Sequence, residues 1–220
     1  MKSVMFDYNG TLIDDDDINE EAWLATIAEL SKGTLDARKL YIEYTGMRNV
    51  SFVEVLFDKL GLPRDEEQIM YWARRKETEY YHKISRQKKR DQLKPGAVEL
   101  LDHLKERQFP INMCTASLDV NVDFYFEYLK LDRWFDRDLV VYDDGISADK
   151  KDMYIEGARR LGVSVIDCLI FDDSPSSIRK AVEAGCENLV VIRRDNNPDL
   201  PQVRQRINDF SEFDRRLLDI

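Results

Sequence analysis

The chain has 220 residues, 33 of them Lys or Arg and 43 Asp or Glu, for a formal net charge of −10. With 35% charged and 43% hydrophobic residues, it has the make-up of a globular chain long enough to bury a core, not of a disordered one. The acidic surplus argues against a nucleic-acid partner, because polyphosphate binding draws on surplus cations.

In chain order, Val4, Met5 and Phe6 form an apolar strand that delivers Asp7 to a tight turn at Gly10, with Thr11 and Leu12 following. Asp14 to Asp17 read as a solvated acidic linker. Trp23, Leu24, Ile27 and Leu30 predict one helix. Ser51 with Glu54 predicts a capping box for a second, which carries Phe52, Val53, Leu56 and Leu60 and stops at Gly61. Asp65 to Tyr81 predict a longer one, and residues 15–92 show no convincing strand. The tyrosines near 41, 44, 71, 80 and 81 read as packing within this helical stretch, and His82 and His103 as surface residues. Arg86 to Arg90 read as an exposed basic hinge.

From residue 94 strands and helices alternate. Lys94-Pro95-Gly96 opens a helix through about Arg107, and Pro110 to Cys114 is a short strand. Val122, Tyr125, Phe126 and Leu129 line one helical face. Leu139 to Tyr142 predict a strand, and Lys151 to Leu161 a helix stopped by Gly162. Val165 to Phe171 form an apolar run expected of a strand covered on both faces. Ser174-Pro175 caps a helix that Gly185 ends, Asn188 to Ile192 form the last strand, and residues 200–218 predict a covering amphipathic helix. The expected fold is α/β, a doubly wound parallel sheet formed by residues 1–14 and 93–220, with an all-helical cap of residues 15–92 inserted over the strand ends.

The three cysteines lie far apart with no metal or redox spacing, so Cys114, Cys168 and Cys186 read as small core groups in a reducing compartment. No basic leader or 18-residue apolar run occurs, and the expectation is a cytoplasmic protein with no membrane partner, monomer or dimer.

Four pieces sit where four strands end: Asp7; Thr115 with the Ala116 and Ser117 amides behind it; Lys150-Lys151; and Asp172-Asp173. A carboxylate at the end of a buried strand, beside amides freed by Gly10 and next to Thr11, suits covalent phosphoryl chemistry with a divalent cation. Asp7 and Asp173 can share Mg2+, which prefers hard oxygen ligands, while Thr115 and Lys150 hold the phosphoryl oxygens.

In these segments the chain resembles the haloacid dehalogenase superfamily, and more narrowly its helical-cap branch typified by β-phosphoglucomutase and phosphoglycolate phosphatase. The likeness runs from residue 3 to about 193 through FDYNGTLID, EEAW, LKPGAVELLDHLKER, TASLDVNVDFYFEYLKLDRWFD, KKDMYIEGARRLGV and IFDDSPSSIRKAVEAGC. It implies a nucleophilic Asp7, an aspartyl-phosphate, and Mg2+ held by Asp7, the carbonyl of Asn9 and the Asp172-Asp173 pair. It also implies a small phosphorylated metabolite selected by the cap, with Arg48 and Asn49, and Arg75 or Lys76, as candidate contacts. Two departures stand out. Asn9 occupies the place of the family's proton-carrying aspartate, and an amide does not titrate. An ungapped alignment puts the family's lysine on Ala148, leaving Lys150 or Lys151 to fill the role. The expected activity is a Mg2+-dependent phosphatase, slow or suited to good leaving groups. The alternatives are a catalytically impaired ligand- or partner-binding protein, and a phosphonatase-type hydrolase using Lys59, Lys76 or Lys83.

Overall fold

Alternation of side chains along each strand sorts the core into two layers. Val4 and Phe6 of β1 (Ser3–Phe6), Leu169 and Phe171 of β3 (Cys168–Asp172) and Val190 and Ile192 of β4 (Leu189–Ile192) join one apolar cluster. Their neighbours Met5, Cys168, Ile170, Leu189 and Val191 join the other. A sheet apolar on both faces must be covered on both, and the strands are accordingly all parallel. The order is β2-β1-β3-β4-β5, with β2 at Ile111–Met113 and β5 at Val203–Ile207. The computed structural model describes residues 1–44, 47–86, 93–144, 149–192 and 197–219.

Four helices lie between β1 and the rest of the sheet: α1 (Asp16–Leu30), α2 (Ala37–Tyr44), α3 (Asn49–Leu60) and α4 (Glu66–Ile84). They bury their own cluster around Trp23, Ile27, Phe52, Leu56 and Ile69, and among the described residues of this stretch there is no named strand. The sheet is flanked by α5 (Ala97–Glu106), α6 (Asp119–Leu129), α7 (Lys150–Arg160) and α8 (Pro175–Glu183). Among the described residues no helix is long and apolar enough to cross a membrane.

Several expectations are corrected. Residues 200–218 are not a helix: Val203–Ile207 form β5, and short 3-10 turns follow. Val203 and Ile207 are four apart, a spacing shared by a helix face and by one face of a strand, and the open edge of β4 decides between them. Leu139 to Tyr142 do not form a strand; after a 3-10 turn at Arg137–Leu139, Val141 makes a single bridge to Cys114. Val165 to Asp167 are a 3-10 turn leading into β3. The Ser51 capping box is absent, since α3 starts two residues earlier behind Arg48 and places Ser51 inside the helix. The helix α2 was not anticipated. Asp15, read as part of a solvated linker, is fully buried. All three cysteines are buried, as expected.

Gly96, at φ 77°, starts α5 against the chain's last segment. A Cβ there would lie 2.3 Å from the Ser211 nitrogen and 2.5 Å from the Phe210 carbonyl carbon, and backbone cannot swing aside. Gly96→Ala is expected to cost about 3 kcal/mol, read by denaturant unfolding.

Candidate active site

In a parallel sheet every strand ends at the same edge. Here the chain leaves β1 to build β2 on one side and β3 on the other, so a crevice opens beyond the ends of β1 and β3. Asp7 follows β1, Asp172 ends β3 and Asp173 follows it. Thr115 lies two residues past β2, and Lys150 opens α7. Separate segments thus converge on one crevice because the topology turns them all the same way.

Asp7 is 8% exposed, facing the cavity. Lys150 Nζ forms a short ion pair with Asp7 Oδ1, donates to the Cys114 carbonyl at 2.7 Å, and lies 3.9 Å from Asp172 Oδ2. Burial works against the Lys150 charge, but the Asp7 and Asp172 carboxylates outweigh it and hold its pKa above the ordinary value. Thr11 Oγ1 donates to Asp173 Oδ1 at 3.0 Å and lies 3.4 Å from Asp7 Oδ2. Asp172 accepts from the Tyr154 hydroxyl and, at 2.9 Å, from the Ser174 N–H. Burial and the nearby Asp7 charge push the Asp172 carboxyl up. One oxygen from each of Asp7, Asp172 and Asp173 lies within 4.8 Å of the others, a donor set that fits a hard divalent cation. The Cys114 thiol is pushed up to about 12 by burial, which argues against it as the nucleophile.

Asn9 is tied down at both ends. Its Nδ2 donates to Asp15 Oδ2 at 2.5 Å and lies 3.1 Å from the Tyr125 hydroxyl, while its Oδ1 accepts from Ser117 Oγ at 2.9 Å. Asp15 also accepts from the Tyr80 hydroxyl at 2.6 Å and from the Gly10 N–H at 2.9 Å. Gly10 takes φ 73° in this turn, a conformation a side chain would strain. Burial raises the Asp15 pKa from 3.8 to about 6, with those hydrogen bonds pulling the other way. A raised carboxyl pKa stabilises the fold fully below 3.8, and that contribution is lost as pH climbs through about 6. The stability of the wild type relative to Asp15→Asn should therefore fall between pH 4 and 7 by up to about 3 kcal/mol, measured by denaturant titration at each pH.

The helical side of the cavity carries Asn49 and Lys76, and on the sheet side Thr115, Ala116 and Ser117 line it with Asp7 and Lys150. Asn49 donates to the buried Glu77, and Lys76 Nζ lies 3.5 Å from Glu77 Oε2 and 5.5 Å from the centre of the Trp23 ring. Not every candidate converges. Arg48 pairs with the buried Asp143 at 3.3 Å, and Arg75 pairs with Glu29 and Glu79 on the helical insert. Lys151 sits in the first turn of α7, its N–H held by Asp149, and does not line the cavity. Lys150 is therefore the lysine brought to Asp7; Ala148 lies outside the described residues, as do positions 87–90 of the basic hinge. Asp15, Tyr80 and Tyr125 were missed as site residues. Their signal was faint, an acidic run and tyrosines at helical spacing, and only burial beside Asn9 gives them meaning.

A parallel α/β sheet with a lysine-paired aspartate at its first strand end, an acidic pair two strands along in the chain, and helices inserted between them is the layout of a hydrolase with an α/β core. The haloacid dehalogenase-like hydrolase family model matches residues 1–185, and the chain belongs to that family. It is 25% identical over 220 residues to the bifunctional riboflavin kinase/FMN phosphatase of Arabidopsis thaliana, covering 99% of this chain and 54% of that protein. It is 26% identical to the plasmid CbbY protein of Cupriavidus necator, covering 86% of this chain and 78% of that one. A HAD hydrolase of family IA, variant 3, from Entamoeba histolytica superposes with a TM-score of 0.85 at 26% identity, covering 100% of this chain and 98% of its own. Against its plant relative the chain spans about half the length.

Proposed function

We propose that the chain is a Mg2+-dependent phosphatase of a small phosphorylated metabolite, acting through an aspartyl-phosphate on Asp7. The observation that carries this reading is the Asp7 carboxylate at the end of β1, held by Lys150 and Thr11, with oxygens of Asp172 and Asp173 within reach of one shared cation. The name of the plant relative, which includes an FMN phosphatase, is consistent with it.

In this reading Lys150 and the Thr115 hydroxyl, with the Ala116 and Ser117 amides, hold the phosphoryl oxygens. Asp7, the carbonyl of Asn9, Asp172 and Asp173 would hold Mg2+, which neutralises phosphoryl charge and polarises the phosphorus. Asp7 attacks phosphorus, the leaving oxygen departs with its electron pair, and water later displaces the aspartate. Asn9 orients groups but carries no proton, so a leaving group that departs as a stable anion is favoured and release by water is slow. Asn49 and Lys76 face the substrate from the cap, whereas Arg48 is engaged with Asp143.

The test is phosphate release from a panel that includes acetyl phosphate and p-nitrophenyl phosphate. Turnover should vanish in EDTA and return with excess Mg2+. No release from any compound would overturn the reading and favour the second one, a protein that binds a phosphorylated ligand without turnover, to which Asn9 points. Phosphonatase-type chemistry would fall to Lys76, which lines the cavity where Lys59 and Lys83 do not.

A further inference from the structure

The helical half of the cavity is built from rings more than from charge. Trp23, Tyr41, Tyr44, Met47 and Phe52 line it. Trp23 and Phe52 pack at 4.3 Å between ring centres and Tyr44 and Phe52 at 5.6 Å, so half-buried Tyr41 and Tyr44 face the cavity from in front of a buried aromatic cluster. The polar groups facing it are Asp16, Asn19, Asn49 and Lys76. Lys76 is the cation among them, and its charge is met by Glu77 at 3.5 Å and spread over the Trp23 and Tyr80 rings. Arg48 is turned to Asp143 and does not line the cavity.

The cavity, about 150 Å³ and open to solvent on one side, has room beyond the phosphoryl position for a ring. The chemistry at the other end agrees. Asn9 has no proton to give, and its amide is committed to Asp15 and Ser117. A sugar phosphate must expel an alkoxide about as basic as hydroxide, whose conjugate acid has a pKa of about 16. A phenol's pKa is about 10, and phenolate leaves without help.

We propose that this cavity selects a monophosphate ester of a small aromatic hydroxyl, a monocyclic aryl phosphate, the ring seated against Tyr41 and Tyr44, which Trp23 and Phe52 back. The proposal rests on the phosphatase reading and names its substrate class. An Asp7 oxygen forms the bond to phosphorus while the P–O(aryl) bond breaks, and its electron pair leaves on the phenolate, which is protonated in bulk water. Water then attacks phosphorus, the P–O(Asp7) bond breaks, and inorganic phosphate and the Asp7 carboxylate are restored, the water's proton going to phosphate or solvent. With no base at position 9 the second half is the slower. The first turnover therefore shows as a burst of phenol equal to the enzyme present.

The test uses the full chain with Mg2+ and separates the ring from the leaving group. Phosphate release is measured for phenyl phosphate, acetyl phosphate and glucose 6-phosphate, and phenol release for the burst. Competitive inhibition is compared for phenylphosphonate and methylphosphonate, which cannot be hydrolysed. Phenyl phosphate is expected to exceed glucose 6-phosphate in kcat/KM by about 100- to 10,000-fold, the range that general acid catalysis otherwise supplies. Phenylphosphonate is expected to bind about 10- to 100-fold more tightly than methylphosphonate. That preference should shrink in Tyr41→Ser and in Tyr44→Ser, two half-buried positions at the edge of the helical cluster, with the melting temperature of each variant checked alongside. If acetyl phosphate is hydrolysed but the two phosphonates inhibit alike, the aromatic assignment is overturned while the phosphatase reading stands. If glucose 6-phosphate matches phenyl phosphate, the assignment is overturned in the same way. If no compound releases phosphate, both fail together.

Discussion

Replacing Asp7 with asparagine should lower phosphate release from acetyl phosphate by about 10,000-fold or more, because the proposed mechanism loses its nucleophilic carboxylate. The amide is the same size, and its oxygen can still accept from Lys150, which keeps the Cys114 carbonyl as a second acceptor at 2.7 Å. The melting temperature should therefore change little, which separates lost chemistry from lost fold. Intact mass after rapid mixing with substrate provides a direct readout: wild type gains one phosphoryl group and Asp7→Asn gains none. A variant that keeps wild-type turnover would remove Asp7 as nucleophile.

The second large effect concerns Asn9, and here the structure changes what the obvious experiment should show. Taken alone, the sequence suggests that Asn9→Asp restores a proton carrier and accelerates turnover. The Asn9 amide, however, donates to Asp15 Oδ2 at 2.5 Å. A carboxylate in its place would set two acidic oxygens against each other in a buried site, and the two groups would have to share one proton. Side-chain positions there are fixed by Ser117, Tyr80 and Tyr125, so the new carboxylate has little room to turn away. Asn9→Asp alone is expected to gain little at pH 7. The exchange Asn9→Asp with Asp15→Asn keeps one carboxyl and one amide in contact but reverses them. It should raise kcat for poor leaving groups by about 100- to 10,000-fold. Steady-state rates on a sugar phosphate and an acyl phosphate, across pH 5 to 8, distinguish the two variants. A full gain from Asn9→Asp without the second change would show that Asp15 does not oppose it.

How much of this was legible beforehand depends on what each residue needed from its neighbours. Asp7, Thr115 and Asp172-Asp173 could be placed because strands β1, β2 and β3 announce themselves by short apolar runs, and residues just past them fall at one edge of a parallel sheet. Gly61 ends α3 in the left-handed conformation, as its position predicted, and Ser174-Pro175 caps α8 as expected. The failures share a cause. Val203 and Ile207 fit either period, and the unpaired edge of β4, which exists only once the sheet forms, selected the strand. Arg48 looked like a free cation for a ligand, yet Asp143, 95 positions away, holds it.

Asp15 is the clearest case. Within a run of four aspartates nothing sets it apart, since side chains that differ only in which way the backbone turns look the same in one dimension. Local sequence determined the parallel α/β layers, the carboxylate at the first strand end and the absence of a titrating group at position 9, because periodicity and residue chemistry are properties of near neighbours. Tertiary structure alone decided that Lys150 and not Lys151 meets Asp7, that Asp15 is buried against Asn9, and that rings wall the cavity. Each of these depends on how the segments pack, even for Asn9 and Asp15 only six positions apart, because burial and charge pairing are settled only once the layers have closed.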